Sequence, residues 1–201
     1  MPPETCPYPE HDQLFRQYHD SEWGVPKVDD QTFFEKICLE GFQSGLSWKT
    51  ILHRRQAFRQ AFDNFSPDAI AVYNDSDVQR LLNDERIIRN RRKIMSTINN
   101  ARRFLELRSR GSSLAALCWS FEPPANTRVG IPDRRWLSDN PSTSNSEALA
   151  KTLKGLGWSY VGPVNMYALM QALGIVNDHV AGCPRRSVID KLRKEINPNL
   201  D

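Results

Sequence analysis

Along most of the chain, apolar side chains recur every three or four residues, the spacing that places them on one face of a helix. Phe33, Phe34 and Ile37 define a helix over 30–40, which Gly41 is expected to stop. Ser47 is well placed to cap the next helix, predicted over 47–63 from Trp48, Ile51, Leu52, Phe58, Ala61 and Phe62. Ser66-Pro67-Asp68 is a strong helix start, and another short helix is predicted around 77–83. The longest, 89–109, carries Ile94, Ile98, Ala101 and Leu105 on one face, and further helices are predicted over 113–121, 146–155, 163–174 and 186–194. Two stretches break the pattern. Residues 1–28 are rich in proline, and 122–145 combine four prolines with Gly130 and a Ser/Thr/Asn run. No strand pattern and no internal repeat is present, so the chain reads as all-α. It reads as a single domain, 1–201, whose helical body (29–175) is flanked by terminal segments 1–28 and 176–201.

Composition adds little to this picture and excludes some classes. At 201 residues, with 39% hydrophobic and 25% charged residues, the chain suits one globular domain. No apolar run approaches the roughly 20 residues of a membrane helix, and the N-terminus lacks the form of a signal peptide, so a cytoplasmic protein is expected. Cys6, Cys38, Cys118 and Cys183 are too few and too scattered for a disulfide framework and should stay reduced. Net charge is only +3, but arginines and lysines crowd the segment from Arg86 to Arg110. A basic helix face of this kind is either a solvated surface or a collector of phosphates.

Candidate chemistry is concentrated in three places. In Cys-Leu-Glu-Gly-Phe-Gln-Ser-Gly-Leu-Ser-Trp, residues 38–48, a carboxylate (Glu40), two glycines and an aromatic plane (Trp48) suit a flat, polar, electron-poor ring. Read alone, the same stretch is also an ordinary helical corner. Cys6 and His19 near one end of the chain, and His179 and Cys183 in H-x-x-x-C near the other, offer two thiolates and two imidazoles. Those four would close a tetrahedral zinc site with no position left for a catalytic water. Such a clip would remove on the order of 4–5 kcal/mol of unfolded-state entropy, although free cysteines and surface histidines fit the spacing as well. Finally, Gly155, Gly157, Trp158, Ser159 and Gly162 lie between two predicted helices and suggest a helix-hairpin-helix element near 146–174, whose backbone amides would approach a DNA phosphate.

Four stretches, in order, carry a resemblance: Tyr-His-Asp-Ser-Glu-Trp-Gly-Val-Pro, Leu-Glu-Gly-Phe-Gln-Ser-Gly-Leu-Ser-Trp, Ile-Ile-Arg-Asn-Arg-Arg-Lys-Ile and Gly-Ile-Val-Asn-Asp-His. From about Cys6 to Cys183 the chain resembles the type I 3-methyladenine DNA glycosylases, of the helix-hairpin-helix glycosylase superfamily. The resemblance implies hydrolytic release of 3-methyladenine from alkylated double-stranded DNA by base flipping, without strand cleavage, since no lysine suits Schiff-base chemistry. It makes Cys6, His19, His179 and Cys183 ligands of one structural zinc. It makes Glu40 the catalytic carboxylate, with Glu40 and Tyr18 hydrogen-bonding the extruded base, Trp48 stacking on it and Trp23 forming a wall. Tyr8 stands where the family usually has a tryptophan, so that aromatic plane is smaller here. A monomer is expected. Asp178 is either a catalytic candidate, from its place shortly after the hairpin, or the group that orients His179. The competing readings are a non-catalytic zinc-stabilised DNA-binding module and a hydrolase with a catalytic zinc.

Overall fold

The computed structural model describes residue 6, residues 11–128 and residues 130–196. Among these, helices follow one another in the order α1 (Gln13–Ser21), α2 (Asp30–Gln43), α3 (Trp48–Leu52), α4 (Arg55–Ala61), α5 (Pro67–Ala71), α6 (Asp75–Asn83), α7 (Arg91–Ser109), α8 (Leu114–Trp119), α9 (Arg134–Asp139), α10 (Ser144–Gly155), α11 (Pro163–Ala172) and α12 (Arg185–Ile196). No strand occurs among the described residues, and no helix among them is long and apolar enough to cross a membrane.

Helix α2 is the hub, packing against α3, α7, α8 and α11. From Phe33 onward it is buried almost all round, including Phe33, Phe34, Ile37, Leu39 and Phe42. A helix enclosed on every side has no wet face for its charged residues, so Lys36 and Glu40 are buried as well. The helix starts under a side-chain cap from Asp29, whose carboxylate accepts from Thr32 N at 2.8 Å. Its far end is closed from another element: Lys93 on α7 donates to the carbonyls of Phe42 at 2.8 Å and Ser44 at 2.6 Å. A cation on terminal carbonyls complements both their unmet hydrogen bonds and the helix dipole.

The expected stop at Gly41 is wrong, because the helix runs through it to Gln43. Gly41 matters for packing instead. A Cβ there would lie 3.2 Å from the Cβ of Tyr160, in the turn that precedes α11. The chain reverses only at Gly45, whose φ of 77° is left-handed.

Three other expectations need correcting. The single helix over 47–63 is two, α3 and α4, parted at His53–Arg54. The N-terminal segment read as loop contains α1, capped by the Asp12 carboxylate on Phe15 N at 3.0 Å. The proline-rich stretch 122–145 contains α9 and a 3-10 turn at Ala125–Thr127. For α1 and α9 a side-chain cap, from Asp12 and Asp133, starts a helix that composition did not announce.

The end of α11 ties the N-terminal segment to the body. Gly24 N donates to Ala172 O and Lys27 N to Leu173 O, both at 3.1 Å. Gly174 follows with φ 75°, and a Cβ on it would lie 2.5 Å from Gly24 O and 2.6 Å from Pro26 Cα. Gly174→Ala is therefore expected to lower unfolding free energy by about 3 kcal/mol or more, through backbone strain and a forced shift of residues 24–26. Gly45→Ala, with a left-handed φ but nothing within 4 Å, is expected to lose only about 1 kcal/mol. Urea midpoints of the two variants check the difference.

Candidate active site

The buried charges of α2 meet two aromatic rings. Lys36 Nζ lies 2.7 Å from Glu40 Oε1, an i,i+4 pair with both side chains almost fully enclosed. The same nitrogen donates to Tyr18 OH at 3.3 Å and sits 3.3 Å from the centre of the Trp48 ring. Tyr18, from α1, and Trp48, at the start of α3, stand 5.5 Å apart centre to centre. Burial by itself would push the Lys36 ammonium down, but Glu40 and Tyr18 more than offset this and hold it above the ordinary lysine range. Burial also raises the Tyr18 phenol. The indole Nε1 of Trp48 is enclosed without a hydrogen-bond acceptor among the described residues.

These groups line a cavity of about 330 Å³, which Trp23 and Gln171 also border. That volume suits a small organic ligand. Glu40, Tyr18, Trp48 and Trp23, singled out separately in the sequence, thus share one cavity. Lys36 was missed. The K-x-x-x-E spacing is visible in the chain, but such a pair normally marks a solvated face, and only the burial of α2 turns it inward. Tyr8 lies outside the described residues.

Beside this cavity four side chains from the N-terminal and C-terminal segments meet. Cys6, His19, His179 and Cys183 are all buried, and their ligand atoms lie within 4.8 Å of one another. Cys183 Sγ is 3.3 Å from His179 Nδ1 and 3.5 Å from His19 Nε2, and Cys6 Sγ is 3.5 Å from His179 Nδ1. The outer ring nitrogens are held: His179 Nε2 donates to Trp23 O at 3.2 Å, and His19 Nδ1 donates to Asp20 at 2.7 Å. In those tautomers the inner nitrogens turn lone pairs towards the sulfurs, as metal ligands require. Burial pushes the Cys6 thiol up to about 12 and the His179 imidazole down to about 4. The donor set therefore fits a buried divalent cation, which would favour the thiolate that burial disfavours. Trp23 serves both sites, with its ring 4.6 Å from that of His179.

Asp178 does not orient His179. Its carboxylate accepts from Tyr167 OH at 2.5 Å and Gln171 Nε2 at 2.8 Å, and burial raises it above the usual carboxylate range.

The turn between α10 and α11 corrects another expectation. Ser159 is locked onto α7, its N–H donating to Asn100 Oδ1 at 2.9 Å and its carbonyl accepting from Asn100 Nδ2 at 3.0 Å. The amides of Gly157 and Trp158 return to Lys154 O and Leu153 O. The Trp158 side chain is buried against Phe34, so neither it nor these three amides is free for phosphate. Gly155 is exposed, Gly162 forms the cap residue of α11, and Arg103 and Arg110 border the cleft beside the turn. Much of the basic segment is spent internally as well: Lys93 caps α2, Arg102 reaches Ala71 O, and Arg108 pairs with Asp68.

Residues 8–186 match the model of the methyladenine glycosylase family. The chain belongs to that family. It is 45% identical over 181 residues to DNA-3-methyladenine glycosylase 1 of Escherichia coli (strain K12), covering 90% of this chain and 95% of that protein. Among solved structures, a crystal structure of a 3-methyladenine DNA glycosylase I superposes with a TM-score of 0.82 at 44% identity, over 90% of this chain and 98% of that one. The enzyme from Staphylococcus aureus, solved for the structural basis of its 3-methyladenine recognition, gives a TM-score of 0.78 at 29% identity, over 88% of this chain and 93% of that one.

One bound divalent ion per chain is expected by native mass spectrometry. Cys183→Ser is expected to abolish it and to lower the melting temperature. A metal-free wild-type protein of unchanged stability would contradict the assignment.

Proposed function

We propose that this chain is a base-excision repair glycosylase that extrudes 3-methyladenine from alkylated duplex DNA and releases it by hydrolysis, without cutting the strand. The single observation that carries this reading is the convergence of Glu40, Tyr18 and Trp48 on one cavity beside the Cys6–His19–His179–Cys183 cluster. The resemblance to proteins named for this activity and this base supports it.

3-Methyladenine is cationic in the nucleoside, so its glycosidic bond is already weak and the base needs no protonation. Extrusion costs a few kcal/mol, least for a damaged base. Within the cavity Trp48 supplies a face for the cationic ring. Ionised Glu40 supplies acceptors for its N–H donors, and the Tyr18 hydroxyl adds a further polar contact. As the C1′–N9 bond breaks, its electron pair returns to the ring and positive charge passes to the sugar. The Glu40 carboxylate stabilises that charge, and water completes the hydrolysis.

A strand-cleaving mechanism needs an uncharged amine. Lys36 is a lysine at the cavity, which the sequence reading lacked, but its pairing with Glu40 holds it protonated. It therefore does not serve as a Schiff-base nucleophile.

The four-residue cluster fits zinc by its donor set of two sulfurs and two nitrogens, with three sulfur–nitrogen pairs 3.3, 3.5 and 3.5 Å apart and all four ligand atoms within 4.8 Å of one another. With four protein ligands the ion would be structural, holding residues 1–28 to 176–201. The α10–turn–α11 unit would act as the helix-hairpin-helix, gripping phosphate without reading sequence through Gly155, Gly162 and the start of α11, helped by Arg103. The non-catalytic DNA-binding reading leaves the buried Glu40 and Tyr18, and the half-buried Trp48 beside them, unexplained.

Glu40→Gln keeps the shape but loses the charge and places an amide N–H₂ against donors on the base. Binding of free 3-methyladenine is expected to weaken by about 2–5 kcal/mol, and single-turnover excision to fall at least as far. Metal content and affinity for undamaged duplex are expected to stay unchanged. Three wild-type values would remove Glu40 from the pocket. Borohydride is expected to trap no enzyme–DNA adduct, and a trapped adduct would overturn the hydrolytic mechanism.

A further inference from the structure

Every element that would recognise a cationic base is already engaged by a cation of the chain itself. The Lys36 ammonium has three N–H donors, and the three groups around it are Glu40 Oε1 at 2.7 Å, Tyr18 OH at 3.3 Å and the face of Trp48 at 3.3 Å. A ring stacked on that face would lie about 3.5 Å from it, in the plane that Nζ occupies. Lysine and base cannot both hold this position.

From this juxtaposition we propose that Lys36 is the resident occupant of the base pocket, displaced by the cationic lesion and returning to expel the neutral product. The proposal rests on the glycosylase reading above. Lys36 has somewhere to go, because it also borders a second cavity of about 130 Å³, which Tyr18 and Trp48 line as well. The walls of that cavity include Glu22 and Glu35, paired to Arg55 and Arg59. A lysine side chain turning about its own bonds would exchange one carboxylate environment for another.

The chemistry of the reaction makes the exchange directional. While the base is joined to the sugar it carries a full positive charge and competes with Lys36 for Glu40 and Trp48. When C1′–N9 breaks, the bonding pair returns to the ring and the free base is neutral. The charge leaves with the sugar, and water attacks there, releasing a proton to solvent. The neutral purine has then lost its electrostatic claim on the pocket, whereas Lys36 has kept its own. A pocket that must first be vacated binds any ligand more weakly by the fraction of time it stands open. Lys36 thus sets a threshold that a charged lesion meets readily and a neutral purine, whether product or undamaged adenine, meets only at high concentration.

The test measures the affinity of free 3-methyladenine at mildly alkaline pH, where it is uncharged, for wild type, Lys36→Met and Lys36→Arg. Lys36→Met, of similar length but uncharged, is expected to bind the base about tenfold tighter or more. Lys36→Arg, which keeps a cation over Trp48, is expected to stay near wild type. Unchanged or weaker binding by Lys36→Met would overturn the proposal.

A second measurement needs only wild-type protein. The ε-methylene proton signal of Lys36 is expected far upfield, shielded by the Trp48 ring, and is expected to return towards the ordinary lysine position on saturation with 3-methyladenine. A signal that stays in place while the base binds would overturn the displacement. Failure of wild type to release 3-methyladenine from methylated duplex would overturn the glycosylase reading, and this proposal with it.

Discussion

The buried ion pair between Lys36 and Glu40 is the constraint on which the site depends. Taking two charges out of water costs several kcal/mol per ion, and their attraction repays this only with good geometry and further hydrogen bonds. Here those are provided by Tyr18 and the face of Trp48, which fixes where α1 and α3 must lie relative to α2. A pair of apolar residues would fill the same space at lower cost. The charges are thus better explained by what the cavity does than by the stability of the fold.

The remaining structure holds this helix and its aromatic partners in place. Lys93 closes the end of α2 from α7, and Gly41 lets the turn before α11 come close. Cys6 and His19 meet His179 and Cys183 at the four-ligand cluster, where Trp23 bridges to the cavity through its carbonyl on His179 and its ring beside both histidines. A metal there would act at a distance from the chemistry, holding α1 and hence Tyr18 against α2.

Much of this was legible in the sequence. Apolar periodicity gave the helical body, because the core-facing positions of a helix such as α7 follow its own 3.6-residue repeat. Motif order, more than any single motif, pointed to Glu40, Tyr18, Trp48 and the four possible metal ligands, all of which the fold gathers. The failures have physical causes. Gly41 was read as a terminator, whereas its small size serves a tertiary contact 119 residues away in the chain. Ser159 and Trp158 were read as part of a phosphate-binding hairpin because the Asn100 side chain that captures Ser159 sits on a distant helix. Lys36 stayed invisible because burial, which decides its role, belongs to the folded chain and not to local pattern.

Locating the bound base tests the central claim most directly. Intermolecular nuclear Overhauser effects from the methyl group and ring protons of 3-methyladenine to the protein would do so. The account expects contacts to the rings of Trp48 and Tyr18 and none to residues 156–162. Contacts confined to the turn between α10 and α11, or binding that leaves Trp48 and Tyr18 untouched, would contradict it.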